Sequence, residues 1–167
     1  PPDKDVNLVD IVSKIKSSKS LFARWVSNFD CKENMPFWYI IKDDSSNISS
    51  YSKNTRNQIR KGLNNFDVRR INKSIILEKG YDIYVSALSH YNGRQRVLSN
   101  KEFIDSLDNS FEYWGVFNNK GMLIGYAQNR VFNNSCDYSI IRIHPKSLKK
   151  YPFYVLFYKM NEYYLDT

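Results

Sequence analysis

Glycine and proline are scarce in this sequence, six and five residues out of 167. No P-loop and no dinucleotide fingerprint is present, which excludes nucleotide binding through those devices. Histidine and cysteine are scarcer still, with two of each. His90 and His144 stand far apart, as do Cys31 and Cys136, so there is neither metal-ligand spacing nor a disulfide framework. No metal and no permanently bound cofactor is expected. The cysteines read as reduced thiols of an intracellular protein, which points to the cytoplasm. No apolar run approaches the roughly 18–20 residues of a membrane span. No signal peptide and no Ser-His-Asp ordering is visible. Acidic residues are in deficit, 17 against 25 basic ones, for a net charge of +8 and a pI near 9.4. That balance suits an anionic partner: nucleic acid, nucleotide, or a phosphate-bearing lipid or sugar. The chain starts at Pro1 rather than Met, and it is expected to be a piece of a longer protein.

What is present is a core. Hydrophobic residues make up 42% and aromatics 16%, enough for one domain whose many ring hydroxyls need partners. Residues 1–44 read as an N-terminal segment. Val6, Val9, Ile11, Val12 and Ile15 form a partial helical stripe that Asp5 or Asn7 can cap. Residues 20–29 suit a strand or a helical turn, 30–36 a loop, and PFWYIIKDD (36–44) a buried strand.

From residue 45 the character changes. Ser and Asn supply caps, and Tyr51, Thr55, Ile59 and Leu63 recur at helical spacing and are expected to face the core. Gly62 with Asn64 and Asn65 is expected to stop that helix. Residues 67–72 form a strand. A helix follows from Lys73 to about Tyr91, burying Ile76, Ile83, Tyr84, Ala87, Leu88 and Tyr91, with Gly80 as a break or bend. Residues 92–99 are a loop carrying Arg94 and Arg96. Ser99 and Glu102 have capping-box spacing and open a short helix over about 100–108.

Residues 113–165 organise the rest. YWGVF is a strand and Asn118-Asn119-Lys120-Gly121 a hairpin turn tolerant of positive φ. MLIGYAQNRVF is a second strand, in which Gly125 marks a bulge or a close approach. Asn133-Asn134 turns into SCDYSIIRIH, a third strand. On simple alternation Asp137 and Ser139 share a face with Ile141 and Ile143, and Cys136, Tyr138, Ile140 and Arg142 share the other. After a lysine-containing loop, Phe153, Leu156, Phe157, Met160 and Tyr164 make the apolar stripe of a final helix, with Pro152 at its first position.

The order from residue 67, β-α-α-β-β-β-α, resembles the first two-thirds of the GNAT acyltransferase fold. SYSKNTRNQIRKGLNNFDVRRI resembles the helix and following strand that open a GNAT-like half of FemAB-family proteins, and LIGYA in the second meander strand fits the same habit. The resemblance covers residues 50–165. It implies an α/β (α+β) fold, a mixed and mainly antiparallel sheet flanked by helices, with residues 45–167 as a partial GNAT-like domain truncated after its last helix. It also implies acyl or aminoacyl transfer from acyl-CoA or aminoacyl-tRNA to an amine acceptor. HPKSLKKYPF has no glycine, whereas acetyl-CoA-binding members carry an Arg/Gln-x-x-Gly-x-Gly/Ala loop there. FemAB-like proteins tolerate such a loop.

Several residues are candidates for that chemistry. An extended donor arm would pair with the strand edge at Ile140, Ile141, Arg142 and Ile143. Lys146, Ser147, Lys149, Lys150 and Phe153, at the start of the final helix, would meet its phosphates. Asp137 is a candidate base, and Tyr138 or Tyr151 a candidate proton donor. Lys53, Arg56, Arg60 and Lys61, with Arg69 and Arg70 beyond, form a second stripe able to track phosphates, beside Tyr51 and Phe66, which belong to the core or stack on a base. That stripe supports a different reading, a basic nucleic-acid-binding module. A non-catalytic GNAT-like domain that binds a partner is a further alternative.

Overall fold

A computed structural model describes residues 7–18, 20–22, 41–44, 47–90 and 96–166. The chain divides into two compact units, Pro1–Lys42 and Asp43–Thr167, each described by itself. In the first, helix α1 spans Leu8–Ser18 and Asn7 Oδ1 accepts the Val9 N–H at 2.9 Å, the cap its sequence position suggested. Ile11 and Ile15 are the least exposed of its apolar residues. Most of the segment expected to hold a strand or turn at 20–29, a loop at 30–36 and a buried strand at 36–44 lies outside the described residues, and so do Cys31 and Tyr91. Residues 41–44 carry no strand, and Ile41 is 66% exposed.

The second unit is built on a four-stranded sheet in the order β1-β2-β3-β4, with β1 Phe66–Ile71, β2 Phe111–Asn118, β3 Leu123–Phe132 and β4 Ser135–Ile143. Every neighbouring pair is antiparallel, so the sheet is not mixed among the described residues. The reason lies in the connections. Tight turns at Gly121 (φ 74°) and Asn133 (φ 37°) reverse the chain from β2 to β3 to β4. Helices α3 (Lys73–Ser89) and α4 (Asn100–Asp105) return it from β1 to an antiparallel β2. From β1 onward the order is β-α-α-β-β-β-α, as expected for the opening of a GNAT-like domain.

Two cores flank the sheet. On one face Phe66, Val68, Trp114, Val116, Ala127 and Ile143 pack against Val155, Leu156 and Met160 of helix α5 (Pro152–Leu165). On the other, Tyr113 and Tyr126 pack against Ile76, Ile83 and Tyr84 of α3 and Phe103 of α4. Alternation along β1 and β2 distributes these side chains. The capping box of α4 forms as expected: Ser99 Oγ accepts from Glu102 N and the Glu102 carboxylate accepts from Ser99 N at 2.8 Å. The helix is shorter than expected, ending at Asp105.

Glycines explain three departures from the sequence reading. Helix α2 spans Lys53–Asn65, capped by Ser52; it ends at the expected Asn64-Asn65 pair but runs through Gly62. Gly62 is buried, and a Cβ there would lie 2.9 Å from the Tyr151 carbonyl oxygen and 3.1 Å from Val155 Cβ. The glycine therefore lets α2 lie against the start of α5. The core face of α2 is Ile59 and Gly62, while Leu63, expected to be inside, is 38% exposed. By the same contact Val155 replaces Phe157 in the buried stripe of α5, and Phe157 is 40% exposed. Gly80 does not break α3. It sits inside a continuous helix, where a Cβ would meet Ile76 Cγ2 at 2.7 Å and Phe103 Cζ at 3.2 Å. Gly125 meets both of its expectations, since the β2–β3 register slips beside it and a Cβ would lie 2.2 Å from Ile143 Cδ1.

Candidate functional site

β4 is the last strand of the sheet, so its outer edge has no partner strand among the described residues. A row of unpaired N–H and C=O groups on such an edge can accept an extended ligand or chain. The edge is not regular. Gln128 pairs with Ile140 and Asn129 with Tyr138, which leaves Ser139 as the extra residue of a bulge. The bulge overturns the simple alternation of faces. Tyr138, Ile141 and Ile143 all pack on the α5 side, although their numbers differ in parity. Arg142, register partner of Tyr126, falls on the α3 side. Ser139 keeps Asp137 as a neighbour, its Oγ donating to Asp137 Oδ2 at 2.7 Å.

β4 leads into a 3₁₀ turn at Pro145–Lys150, a short helix rather than an open loop. His144 Nδ1 accepts the Lys146 N–H at 3.3 Å and holds its start. Tyr151 then takes the left-handed conformation (φ 66°, ψ 42°), which redirects the chain into α5. Pro152 occupies the first helical position as expected, and no side chain among the described residues caps α5. Lys146, Lys149 and Lys150 are exposed, and Ser147 is half-buried. Lys61 arrives from α2, its Nζ 5.8 Å from the centre of the Tyr151 ring. One member of the α2 stripe is thus brought to the same corner as the turn lysines, far from it in sequence. The corner combines an uncapped helix start with cationic side chains, the electrostatic ingredients of an anion site.

The rest of the α2 stripe is put to other uses. Arg56 Nη1 donates to the carbonyls of Tyr51 at 2.8 Å and Ser49 at 3.3 Å, so this guanidinium ties down the chain before α2. Arg69 pairs with Asp67 and lies 4.3 Å from the Phe117 ring centre. Arg70 pairs with Glu112 at 3.0 Å and also donates to the Tyr163 hydroxyl. Lys53 and Arg60 remain exposed. Phe66 is buried in the core, and Tyr51 is half-buried with its ring edge-on to Tyr158.

The three candidate acid–base residues are not brought together. Asp137 is exposed on β4. Tyr138 points to the opposite face and donates to Asn161 Oδ1 at 2.8 Å, and burial pushes its phenol well above the usual range. Tyr151 sits at the start of α5, ten residues before Asn161, which is about 15 Å along a helix. An apolar groove of about 410 Å³ lies between α2 and α5, lined by Tyr51, Ile59, Phe153, Tyr154, Phe157 and Asn161 among others.

Two polar features of the sheet have no local signal in the sequence. On the α5 side the Tyr164 hydroxyl accepts from Trp114 Nε1 at 3.0 Å and donates to Glu112 Oε2 at 2.7 Å. Burial raises the Tyr164 phenol above its ordinary range. On the α3 side the Tyr126 hydroxyl and Arg142 Nε are buried without a hydrogen-bond partner among the described residues. Both features join residues from separate elements, and no local spacing announces them.

The second unit is thus an α+β domain with an antiparallel sheet, a bulged edge strand that has no outer partner strand among the described residues, and a basic corner where that strand leads toward a helix. No protein-family model and no curated protein matches the chain. Among solved structures it is similar to the ribosomal-protein-S18-alanine N-acetyltransferase from Escherichia coli, at 14% identity and TM-score 0.45, over 57% of this chain and 56% of that one. It is also similar to the GCN5-related glucosamine N-acetyltransferase region of a fungal multi-domain GH3 β-N-acetylglucosaminidase, at 12% identity and TM-score 0.43, over 60% of this chain and 13% of that one. The chain therefore spans just over half the length of the first and about an eighth of the second.

Proposed function

We propose that this domain transfers an acyl or aminoacyl group from an anionic carrier, an acyl-CoA or an aminoacyl-tRNA, to an amine acceptor, as a FemAB-like member of the GNAT superfamily acting in the cytoplasm. The observation that carries the reading is the β4 edge over residues 140–143, which has no partner strand among the described residues and leads through the lysine-rich 3₁₀ turn to the start of α5. In this reading an extended donor arm adds to the edge at Ile141, Arg142 and Ile143. Its phosphates lie at Lys146, Lys149, Lys150 and Lys61, beside Phe153. Catalysis then comes from proximity and orientation more than from covalent chemistry. The acceptor nitrogen attacks the acyl carbonyl carbon, a C–N bond forms, the bond to the carrier sulfur or oxygen breaks, and the amine proton is lost. Asp137 on the open strand is the residue best exposed to take that proton. Tyr138, kept protonated by burial, already gives its hydrogen to Asn161. Arg56, Arg69 and Arg70 are bound to groups of the chain itself, which shortens the stripe that a nucleic-acid module would need.

Calorimetric titration with acetyl-CoA and with charged and uncharged tRNA tests the proposal. One donor class should bind, and the Lys149→Glu/Lys150→Glu pair should weaken it at least about tenfold through reversal of two charges near a phosphate. Affinity for every donor unchanged by the double variant removes the corner from the site. Donor binding with no acyl release to any amine marks a domain that binds but does not transfer.

A further inference from the structure

We infer that Arg142 and Tyr126 together bind the acyl carbonyl oxygen of the donor, holding it between a guanidinium N–H and a phenol O–H. This role rests on the donor reading above and adds what that reading lacks, a pair of groups aimed at the atom where charge develops. The Ser139 bulge sets the pair up. It shifts the phase of β4 so that Arg142 stands directly across from Tyr126 on the α3 side, within the 140–143 run of the open edge.

Tyr126 is fully buried, its ring 6.5 Å from that of Phe103. Its neighbours on that face are satisfied. Tyr113 donates to the Asp108 carbonyl at 2.6 Å, Tyr84 accepts from Leu98 N at 3.0 Å and Tyr81 donates to the Leu98 carbonyl at 3.1 Å. Among the described residues the Tyr126 hydroxyl has no hydrogen-bond partner, and neither does Arg142 Nε. Arg142 Nη1 donates to the Ile141 carbonyl at 3.0 Å, and no ion pair holds this guanidinium among the described residues. Leaving buried donors unbonded is costly, so a site that keeps two of them side by side is suited to an incoming group.

The chemistry narrows that group. Arg Nε can only donate, so the partner it needs is an acceptor, and a phenol can donate to the same atom. Arg142 is half-buried and belongs to the edge the donor would follow. When the amine attacks, the C–N bond forms and the carbonyl π electrons move onto this oxygen. They return as the bond to the carrier breaks, and the carrier leaves with the electron pair and takes up a proton. A fixed cation and a fixed phenol stabilise that transient negative oxygen without reorganising.

Two ligands that differ by one oxygen test the role: acetyl-CoA and S-ethyl-CoA, whose thioether lacks the carbonyl. The wild-type chain should prefer acetyl-CoA by about tenfold or more, as expected for loss of a charge-assisted hydrogen bond. Tyr126→Phe and Arg142→Lys should each remove most of that preference, and Tyr126→Phe should change affinity for S-ethyl-CoA little. In the free protein Tyr126→Phe should leave the melting temperature unchanged or raise it, because an unbonded hydroxyl is removed. Equal binding of both ligands by the wild type, or preference retained by Tyr126→Phe, overturns the role while the donor reading stands. A fall of several degrees in the melting temperature of Tyr126→Phe also overturns it, since the hydroxyl would then have a partner in the fold. Binding of neither ligand removes CoA esters from the donor reading, and the role assigned to the pair falls with them.

Discussion

Replacing Gly62 by alanine sets two opposing effects against each other. In an exposed helix interior, Gly→Ala stabilises by about 1 kcal/mol through the backbone freedom lost from the unfolded chain. Here the new methyl would lie 2.9 Å from the Tyr151 carbonyl oxygen and 3.1 and 3.2 Å from Val155 Cβ and Cγ1. Carbonyl oxygen and Cβ are fixed by α5 and cannot swing away as a side-chain tip would. Relief requires α2 and the start of α5 to move apart, and overpacking of that kind costs about 1–3 kcal/mol. Gly62→Ala is therefore expected to destabilise by up to about 2 kcal/mol net, and Gly62→Val by more. Urea unfolding gives the measurement, with the midpoint falling at unchanged m-value. The displaced corner should also weaken the donor binding proposed above, since Lys61 and Tyr151 are brought together by the same contact. Stabilisation of the alanine variant by about 1 kcal/mol, the bare propensity value, would refute the close packing of α2 on α5.

Two further outcomes follow from the titratable groups. The Glu102 carboxyl is held below its ordinary 4.5, first by the Ser99 backbone N–H and then by the Ser99 side chain. A depressed carboxyl stabilises the fold above its unfolded pKa and loses that contribution as pH falls through the lowered folded value, so acid unfolding of Glu102→Gln should show a smaller loss below about pH 4.5 than the wild type when followed by circular dichroism. Cys136 is half-buried, and desolvation pushes its thiol up to about 11, so in a Cys31→Ser background it should react with iodoacetamide at pH 8 far more slowly than free cysteine, and a rate equal to free cysteine would contradict its burial.

The elements themselves were legible because their signals are local. Ser52 and Ser99 cap where a short polar side chain precedes an apolar period, and Gly121 and Asn133 take positive φ where turn chemistry asks for it. Pro152 opens α5 because its missing N–H costs nothing there. The candidate site was legible only as a list. Lysines 146, 149 and 150 and the edge at 140–143 stand out by their place between strand and helix, whereas Lys61 belongs by sequence to another stripe. Asp137, Tyr138 and Tyr151 were grouped by residue type, and the fold sets them on different faces and at different ends.

From residue 53 on, the sequence by itself determined the order of strands and helices, the turns between strands and the absence of glycine from the segment before α5. Each depends on residues within about four positions of one another, the range of a helical turn or a hairpin bend. The tertiary structure decided which way the side chains face. Gly62 reads as a helix stop until α5 is placed against it, and Phe157 reads as core until Val155 takes its place. One extra residue at Ser139 reverses the facing of everything after it on β4, because side chains alternate with a period of two and a single insertion shifts the phase. That shift sets Arg142 opposite Tyr126, a meeting of residues sixteen positions apart that only the pairing of β3 with β4 could produce.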